Sequence, residues 1–416
     1  ADEQRSPGAM MDDTGDRPRL LVLTSTFPRW ADDHEPPFVY ELCHQLIDRF
    51  AITVIAPHAP GSATRENLHG IDVVRFRYAP ERWEKLAYAG GIPTRLRRMP
   101  WLSLLVPGFM LAMLFAGYRQ LRSGKPQAVH AHWLIPGGLV GALLTRVSRN
   151  RPRLLITAHG GDIYGLRGRL ATLMKRWVLT RADQVTVVSA ALADAAAALG
   201  CPPQRISVLP MGTDLTTTFV PQKPEEPAGT RVLRSVVYAG RLVDKKGIDT
   251  LLQASAIVLE KLPGLRLTIA GHGPALEQLR ALSRELGIER QVEFTGPYRI
   301  ADLPRLYADA ELAVFPFRMA QGGDQDGFGL ALVEAMGCGV PVVGSDIAPL
   351  DDLLIDGVTG LRATADDANA FAAAIIASLD DPPGALDRAR AARSNVLRRY
   401  DWPVIAARYA ELLLGK

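Results

Sequence analysis

Asp326-Gly327-Phe328-Gly329-Leu330-Ala331-Leu332-Val333-Glu334 joins a glycine-rich loop to a helix start and ends on an acid. Glycines let backbone approach a ligand closely. A helix N-terminus adds unpaired N–H donors and a positive dipole end, so the segment suits a phosphate. Glu334, two turns beyond Asp326, is placed to grip a hydroxyl of an attached ribose. Taken alone, the same residues also describe a tight turn followed by an ordinary solvated glutamate. The segments around it have to decide. Downstream, Ala335-Met336-Gly337-Cys338-Gly339 closes the helix with glycines where a left-handed cap is wanted, and Val340-Pro341-Val342-Val343-Gly344 follows as a short apolar strand. A helix feeding a buried strand is α/β architecture.

The same alternation runs along most of the chain. Apolar strand runs at Leu20–Leu23, Ile52–Ile55, Val73–Phe76, Ala128–Ala131, Leu154–Thr157, Gln184–Val188 and Ile206–Leu209 are separated by helical periodicity, as in Phe38–Phe50 and the alanine-rich Ala190–Leu199. The pattern stops between Gly212 and Arg231, where Pro221, Pro224, Pro227 and Gly229 read as a surface linker. It resumes with strands at Ser235–Ala239, Leu265–Ala270, Gln291–Phe294, Glu311–Phe315 and Val340–Val343. Two α/β domains with parallel sheets therefore sit in tandem. The expected division is a leader at 1–19, a first domain at 20–215, a linker at 216–231, a second domain at 232–395 and a C-terminal helix at 396–416. The helical, Arg- and Ala-rich end, from Leu386 onward, is long enough to return to the first domain.

A chain of 416 residues with 48% hydrophobic content has material for two cores. Cys43, Cys201 and Cys338 are odd in number and far apart, which argues against a disulfide framework or a zinc site and points to a reducing cytoplasm. Residues Ala1 to Arg19 mix both charges and contain no apolar core of a signal peptide. A net charge of +4 is too mild to imply nucleic acid, yet the first half is crowded with arginine, including Arg95, Arg97, Arg98, Arg119 and Arg122. Trp101–Tyr118 is an uncharged, mainly apolar run flanked by arginine and broken near its middle by Pro107-Gly108. A helix that is buried, or that lies at a lipid interface, fits it better than a membrane span.

Chemistry is expected at the carboxyl ends of the strands, where open α/β sheets bind ligands. After the Ser235–Ala239 strand come Gly240, Arg241 and Lys246-Gly247. A planar guanidinium fork and a point charge suit a diphosphate leaving group whose negative charge grows as its bond to sugar breaks, and a solvated turn is the plain alternative. Gly271-His272-Gly273 follows the next strand and suits a close approach to a nucleotide or a structural turn. The third glycine of a dinucleotide fingerprint is absent, since Leu276 stands there. Gly296-Pro297-Tyr298-Arg299, after the strand ending at Phe294, suits a wall for the base or a plain structural turn. In the first domain Thr157-Ala158-His159-Gly160-Gly161-Asp162 and His130-Ala131-His132-Trp133 end neighbouring strands, which offers His159 as a catalytic or sugar-binding group and His132 and Asp162 as acceptor-side contacts. Asp324-Gln325-Asp326 spells a metal-diphosphate pattern, but Arg241 and Lys246 already supply the positive charge that a magnesium ion would bring, so no metal is expected.

The ordered set of Gly240-Arg241 with Lys246-Gly247, Gly271-His272-Gly273, Asp326 to Glu334, and His159-Gly160-Gly161-Asp162 resembles family 4 of the glycosyltransferases. These are retaining enzymes of the GT-B fold, with two Rossmann-like domains facing each other across a cleft and a C-terminal helix crossing back to the first. The resemblance covers nearly the whole chain from Leu20. It implies that Glu334 binds ribose, Arg241 and Lys246 the diphosphate, and Gly327, Phe328, Gly329 and Leu330 the sugar and phosphate oxygens. It also implies that His159 reaches the donor sugar or leaving group, with Asp326 among the catalytic residues. No cofactor is implied beyond the nucleotide diphosphate sugar as co-substrate. The family's usual first acid is glutamate, and Asp326 is one methylene shorter. Phe27-Pro28 and Pro36-Pro37 replace the paired glycines of many members' first loop, so Asp32, Asp33 and Glu35 are candidate acceptor contacts.

The expected activity is metal-free transfer of a hexose to a hydroxyl acceptor, lipid-linked and met at the inner face of an anionic membrane, in envelope polysaccharide or glycolipid assembly. A nucleotide-sugar 2-epimerase on the same fold is the rival enzyme. A silent nucleotide-sugar-binding subunit is the rival from another class, and the shortened Asp326 favours it.

Overall fold

The computed structural model describes residues 17–30, 33, 38–88, 91–165, 168–222, 234–320 and 328–416. Contacts gather these into two compact units. One comprises the described residues up to His132 with Pro136–Leu155 and Leu412–Lys416, and the other comprises Trp133–Ile135 with Ile156–Glu411.

The first sheet contains β1 (Arg19–Leu23), β2 (Ala51–Pro57), β3 (Arg65–Leu68), β4 (Ile71–Phe76), β5 (Ala128–His132), β6 (Arg153–Ala158), β7 (Gln184–Val187) and β8 (Ile206–Val208), in the order β3-β4-β2-β1-β5-β6-β7-β8. β1 pairs in parallel with both β2 and β5, and its Leu20 to Leu23 are buried throughout, as an apolar run covered on both faces requires. The expectation of a wholly parallel sheet needs one correction. β3 runs antiparallel to β4, with Arg65 opposite Val74. Its polar Arg-Glu-Asn-Leu sequence gives no strand signal, and the connection is a two-residue turn in which His69 (φ 48°) and Gly70 (φ 91°) both take the left-handed values of a hairpin turn.

The second sheet contains β9 (Ser235–Ala239), β10 (Arg266–Ala270), β11 (Val292–Gly296), β12 (Leu312–Phe315), β13 (Val342–Ser345) and β14 (Leu361–Ala363), ordered β11-β10-β9-β12-β13-β14. β9 lies between β10 and β12 and is parallel to both. Successive strands step outward on one side of β9 and then on the other. This places the reversal of strand order between β9 and β12, where a doubly wound sheet opens a crevice for ligand.

The Trp101–Tyr118 run divides at Leu105, a 3-10 helix at Pro100–Leu105 being followed by an α-helix at Val106–Gly124. Pro107 thus opens a helix instead of breaking one, since its missing N–H is an orphan donor in the first turn anyway. Phe109 of this helix meets Phe76 and Tyr78 edge-on, with ring centroids 4.9 and 5.0 Å away. Beyond Gly212 the chain does not simply run over the surface. Leu215 and Phe219 are buried, and the Asp214 carboxylate accepts from the Thr217 and Thr218 amides at 2.8 and 3.1 Å.

The C-terminus is two helices, Pro382–Tyr400 and Trp402–Leu414, and not one from residue 396. Asp401 interrupts them because its backbone bridges Thr213 and its carboxylate accepts from the Leu215 amide at 3.0 Å. The last helix returns to the first sheet's strands. The Tyr409 hydroxyl donates to the Leu209 carbonyl at 3.0 Å, and Arg153 Nε donates to the Leu412 carbonyl at 2.7 Å.

Candidate active site

The loops leaving β9, β10 and β11 are woven together by backbone hydrogen bonds. Gly240 N donates to Ala270 O at 3.0 Å, Gly271 N to Gly296 O at 2.8 Å, and Leu242 N to His272 O at 3.0 Å. A Cβ on Gly271, at φ 145°, would lie 1.8 Å from the Gly240 carbonyl oxygen, and one on Gly273 would lie 2.2 Å from that of Leu242. These glycines are therefore required by chain meeting chain, whatever ligand binds above them. His272 is exposed.

The next turn carries the cations. Asp244–Lys246 is a single 3-10 turn closed by Gly247 at φ 60°, where a Cβ would fall 1.9 Å from the Pro316 carbonyl oxygen. Arg318, just past β12, holds this turn. Its guanidinium donates to Asp244 at 2.5 Å, Asp249 at 2.9 Å and Asp366 at 3.1 Å, and its amide donates to the Lys245 carbonyl at 3.0 Å. Three carboxylates on one guanidinium keep it charged and its pKa raised despite the cost of burial. The Lys246 ammonium sits 4.0 Å from the centre of the buried Phe317 ring. Arg241 is exposed, and its carbonyl accepts from the Tyr238 hydroxyl at 3.1 Å.

Glu334 lies on the Leu330–Gly337 helix, which starts at Gly329 with φ 80°. Burial pushes its carboxyl up to about 8, and the positive charge of Lys246 offsets part of that rise. Burial, and then the Glu334 charge, raise the Tyr298 phenol to about 12. Buried Tyr307 feels the same charge. Glu334, Lys246 and Tyr298 thus form one electrostatic neighbourhood at the carboxyl end of the second sheet. Phe328 is buried edge-on against Tyr400 with ring centroids 5.1 Å apart, and Leu330 is half-buried. Asp326 and Gly327 lie outside the described residues, as do Asp32, Glu35 and Asp324. Asp33 is described, and Arg29 grips it at 2.6 and 2.8 Å.

At the end of β6, Asp162 is buried, and its carboxylate accepts from the His159 and Gly160 amides at 3.1 Å each and from the Leu134 amide at 2.8 Å. The carboxylate is a clamp between two loops. Asp162→Ala is expected to strand those donors and to lower unfolding free energy by about 2–4 kcal/mol in a urea titration. His159 is half-buried, and desolvation pushes its imidazole down to about 3, so it stays neutral near pH 7. Its ring stands 4.9 Å from that of Trp133. His132 is fully buried, with its ring centroid 4.2 Å from that of His130.

Sequence reading missed Trp133 and Arg318. Trp133 holds φ 62°, a strained value for so bulky a residue, in the loop that Asp162 clamps. Only its place after His132 pointed to it. Arg318 carried no sequence signal, since the acids it meets lie far from it in the chain, Asp244 in the turn after β9, Asp249 in the first turn of the following helix and Asp366 beyond β14.

Residues 37–217 match the family described as Glycosyltransferase Family 4, and residues 223–395 match Glycosyl transferases group 1. The chain is 32% identical over 406 residues to the GDP-mannose-dependent alpha-(1-6)-phosphatidylinositol monomannoside mannosyltransferase of Mycolicibacterium smegmatis, covering 95% of this chain and 98% of that protein. It is 30% identical over 316 residues to a glycogen synthase of Mycobacterium tuberculosis, covering 73% of each. Among solved structures, sucrose-phosphate synthase from Thermosynechococcus elongatus superposes with a TM-score of 0.76 at 24% identity, covering 96% of this chain and 99% of that one. HepE of Anabaena, solved in complex with UDP, gives 0.73 at 19% identity over 96% and 100%. At these identities the structural likeness speaks for the fold alone.

Proposed function

The chain belongs to glycosyltransferase family 4, with the Rossmann-like parallel sheets of the GT-B fold, and from that premise we propose that it moves a hexose from a nucleoside diphosphate sugar to a hydroxyl acceptor with retention at the anomeric carbon. The observation that carries this reading is the shared electrostatic neighbourhood of Glu334, Lys246 and Tyr298 at the carboxyl end of the second sheet. In the proposed arrangement Glu334 holds the ribose, Tyr298 walls the base, and Lys246, Arg241 and the helix tip at Gly329 hold the diphosphate. Residues 20–215 supply the acceptor side and 232–395 the donor side.

The reaction breaks the bond between the anomeric carbon and the phosphate oxygen and forms one to the acceptor oxygen on the same face. The acceptor proton passes to the departing phosphate oxygen. The protein's work is positioning and charge stabilisation. Neutral His159, beside Trp133, serves as a hydrogen-bonding partner for a sugar hydroxyl and not as a cation. Two cations at the diphosphate make a metal unnecessary, so a chelator is expected to leave the rate unchanged.

GDP-mannose is the first donor to try and an amphiphilic mannoside the first acceptor, because the relative spanning 95% of the chain uses that donor. Such an acceptor places the reaction at the inner face of a membrane, in glycolipid or polysaccharide assembly. The test is a panel of labelled guanosine, uridine, adenosine and thymidine diphosphate sugars with products resolved by NMR. A glycoside with the donor's anomeric configuration is expected. Sugar inverted at C2, whether still on the nucleotide or released by hydrolysis, with no glycoside formed, would indicate a 2-epimerase. An untouched donor throughout would indicate a binding subunit.

A further inference from the structure

The Val106–Gly124 helix carries two apolar stripes. Phe109, Met113, Gly117 and Leu121 are buried. Leu111, Phe115 and Tyr118, spaced by four and three, lie on the opposite side and are 65%, 62% and 40% exposed, with Leu104 before them 80% exposed. A packed surface helix needs one such stripe, and a second one turned to water marks a surface that something covers.

Arginines border that second stripe. Arg122 lies 5.9 Å from the Tyr118 ring centre and donates to its hydroxyl at 3.3 Å, and Arg119 lies 5.9 Å from the Phe115 ring centre. Between them and the polar β3 edge runs a groove of about 580 Å³ that includes Arg65, Phe115, Tyr118, Arg119 and Arg122 in its walls. An adjoining hollow of about 280 Å³ shares Arg65, Phe115 and Arg119 and reaches Arg75 and Arg77. The Arg75 side chain is fully buried. Its Nη2 donates to the Pro28 carbonyl at 2.8 Å and pairs with Glu66, while Nε and Nη1 find no hydrogen-bond partner among the described residues. Arg77 pairs with Glu81 at 2.6 Å. Five arginines therefore line the groove and its adjoining hollow, three of them in the groove itself, with Glu66, Glu81 and Glu84 against Arg75 and Arg77.

We propose that this groove and stripe dock the chain on an anionic phospholipid bilayer, with a lipid phosphate among Arg65, Arg119 and Arg122 and with Leu111 and Phe115 entering the acyl boundary. The inference deepens the lipid-linked acceptor reading and rests on it. Guanidinium forks bind phosphate oxygens in pairs, and apolar and aromatic side chains flanked by cations match the depth at which hydrocarbon gives way to phosphate. A free anion would use the charges and leave Leu104, Leu111 and Phe115 in water. A second copy would set arginine against arginine.

The test is co-sedimentation of the full chain with phosphatidylglycerol or phosphatidylcholine vesicles, with inorganic phosphate as competitor. Binding to the phosphatidylglycerol vesicles alone is expected, undisturbed by millimolar phosphate. Phe115→Ser and the double charge reversal Arg119→Glu with Arg122→Glu are each expected to weaken partition by about tenfold or more at an unchanged unfolding temperature. Equal binding to both lipids, displacement by phosphate, or unchanged binding in folded variants would overturn the inference. So would a concentration-dependent dimer that Phe115→Ser dissolves. Docking without sugar transfer would count against the proposed function alone, and transfer by a chain that ignores vesicles would count against the docking surface alone.

Discussion

Replacing Lys246 by alanine is expected to lower turnover at saturating donor by about 10²–10³-fold while the unfolding temperature stays near that of the unaltered chain. The size of the effect follows from when the charge is needed. In the bound donor the diphosphate charge is shared with the sugar bond, and in the transition state it collects on the departing oxygen, so a fixed cation there favours the transition state over the ground state. Lys246 is fixed from below. Arg318 ties its turn to Asp244, Asp249 and Asp366, and the Phe317 ring lies 4.0 Å beneath the ammonium. None of these contacts needs the lysine to keep the turn folded, because Gly247 and Arg318 hold the backbone. Initial rates and a thermal melt on the same preparation check both halves. Turnover equal to that of the unaltered chain would remove Lys246 from the site.

Glu334→Gln is expected to raise the donor KM by about tenfold or more above pH 8, where the carboxyl is ionised, and, unusually for a site residue, to make the fold more stable at alkaline pH. The sign follows from the carboxyl being held at about 8 by burial, against an ordinary value of 4.5. Between those values the folded chain keeps a proton that the unfolded chain releases. Glu334 therefore contributes full stability below about pH 4.5 and loses it progressively as pH rises toward 8. Glutamine cannot ionise, so the variant's advantage in unfolding temperature should be absent at pH 4.5 and greatest above pH 8. Donor affinity is expected to move the other way. The ionised carboxylate accepts bonds from two ribose hydroxyls, so affinity of the unaltered chain should rise as pH passes through 8 and stay flat in the variant. A variant with unchanged KM, or a stability difference that is constant with pH, would contradict the assignment.

Much of this frame was legible in the residues because burial on both faces leaves a plain trace. Leu20 to Leu23 and Ser235 to Ala239 are short apolar runs followed by glycine or a turn, and the structure makes them the inner strands of their sheets. Glu334, Lys246 and Tyr298 were legible as candidates since each follows a strand or opens a helix, and the structure brings them into one electrostatic neighbourhood. The rest depended on contacts between distant segments. β3 is polar because it is an edge, so it carries no apolar period. Arg318 acquires its meaning only when Asp244, Asp249 and Asp366 converge on it. The strain at Trp133 is invisible without a backbone angle. Gly271 and Gly273 suited either a close approach to a nucleotide or a structural turn, and only the structure shows their backbone packed on the carbonyls of Gly240 and Leu242.

The most direct trial of the central claim is a crystal structure of the chain soaked with guanosine or uridine diphosphate. The diphosphate should lie within hydrogen-bonding reach of Lys246 and the helix tip at Gly329, with the Glu334 carboxylate on the ribose hydroxyls and Tyr298 beside the base. Ordered nucleotide bound elsewhere, or a ribose that Glu334 does not touch, would contradict it.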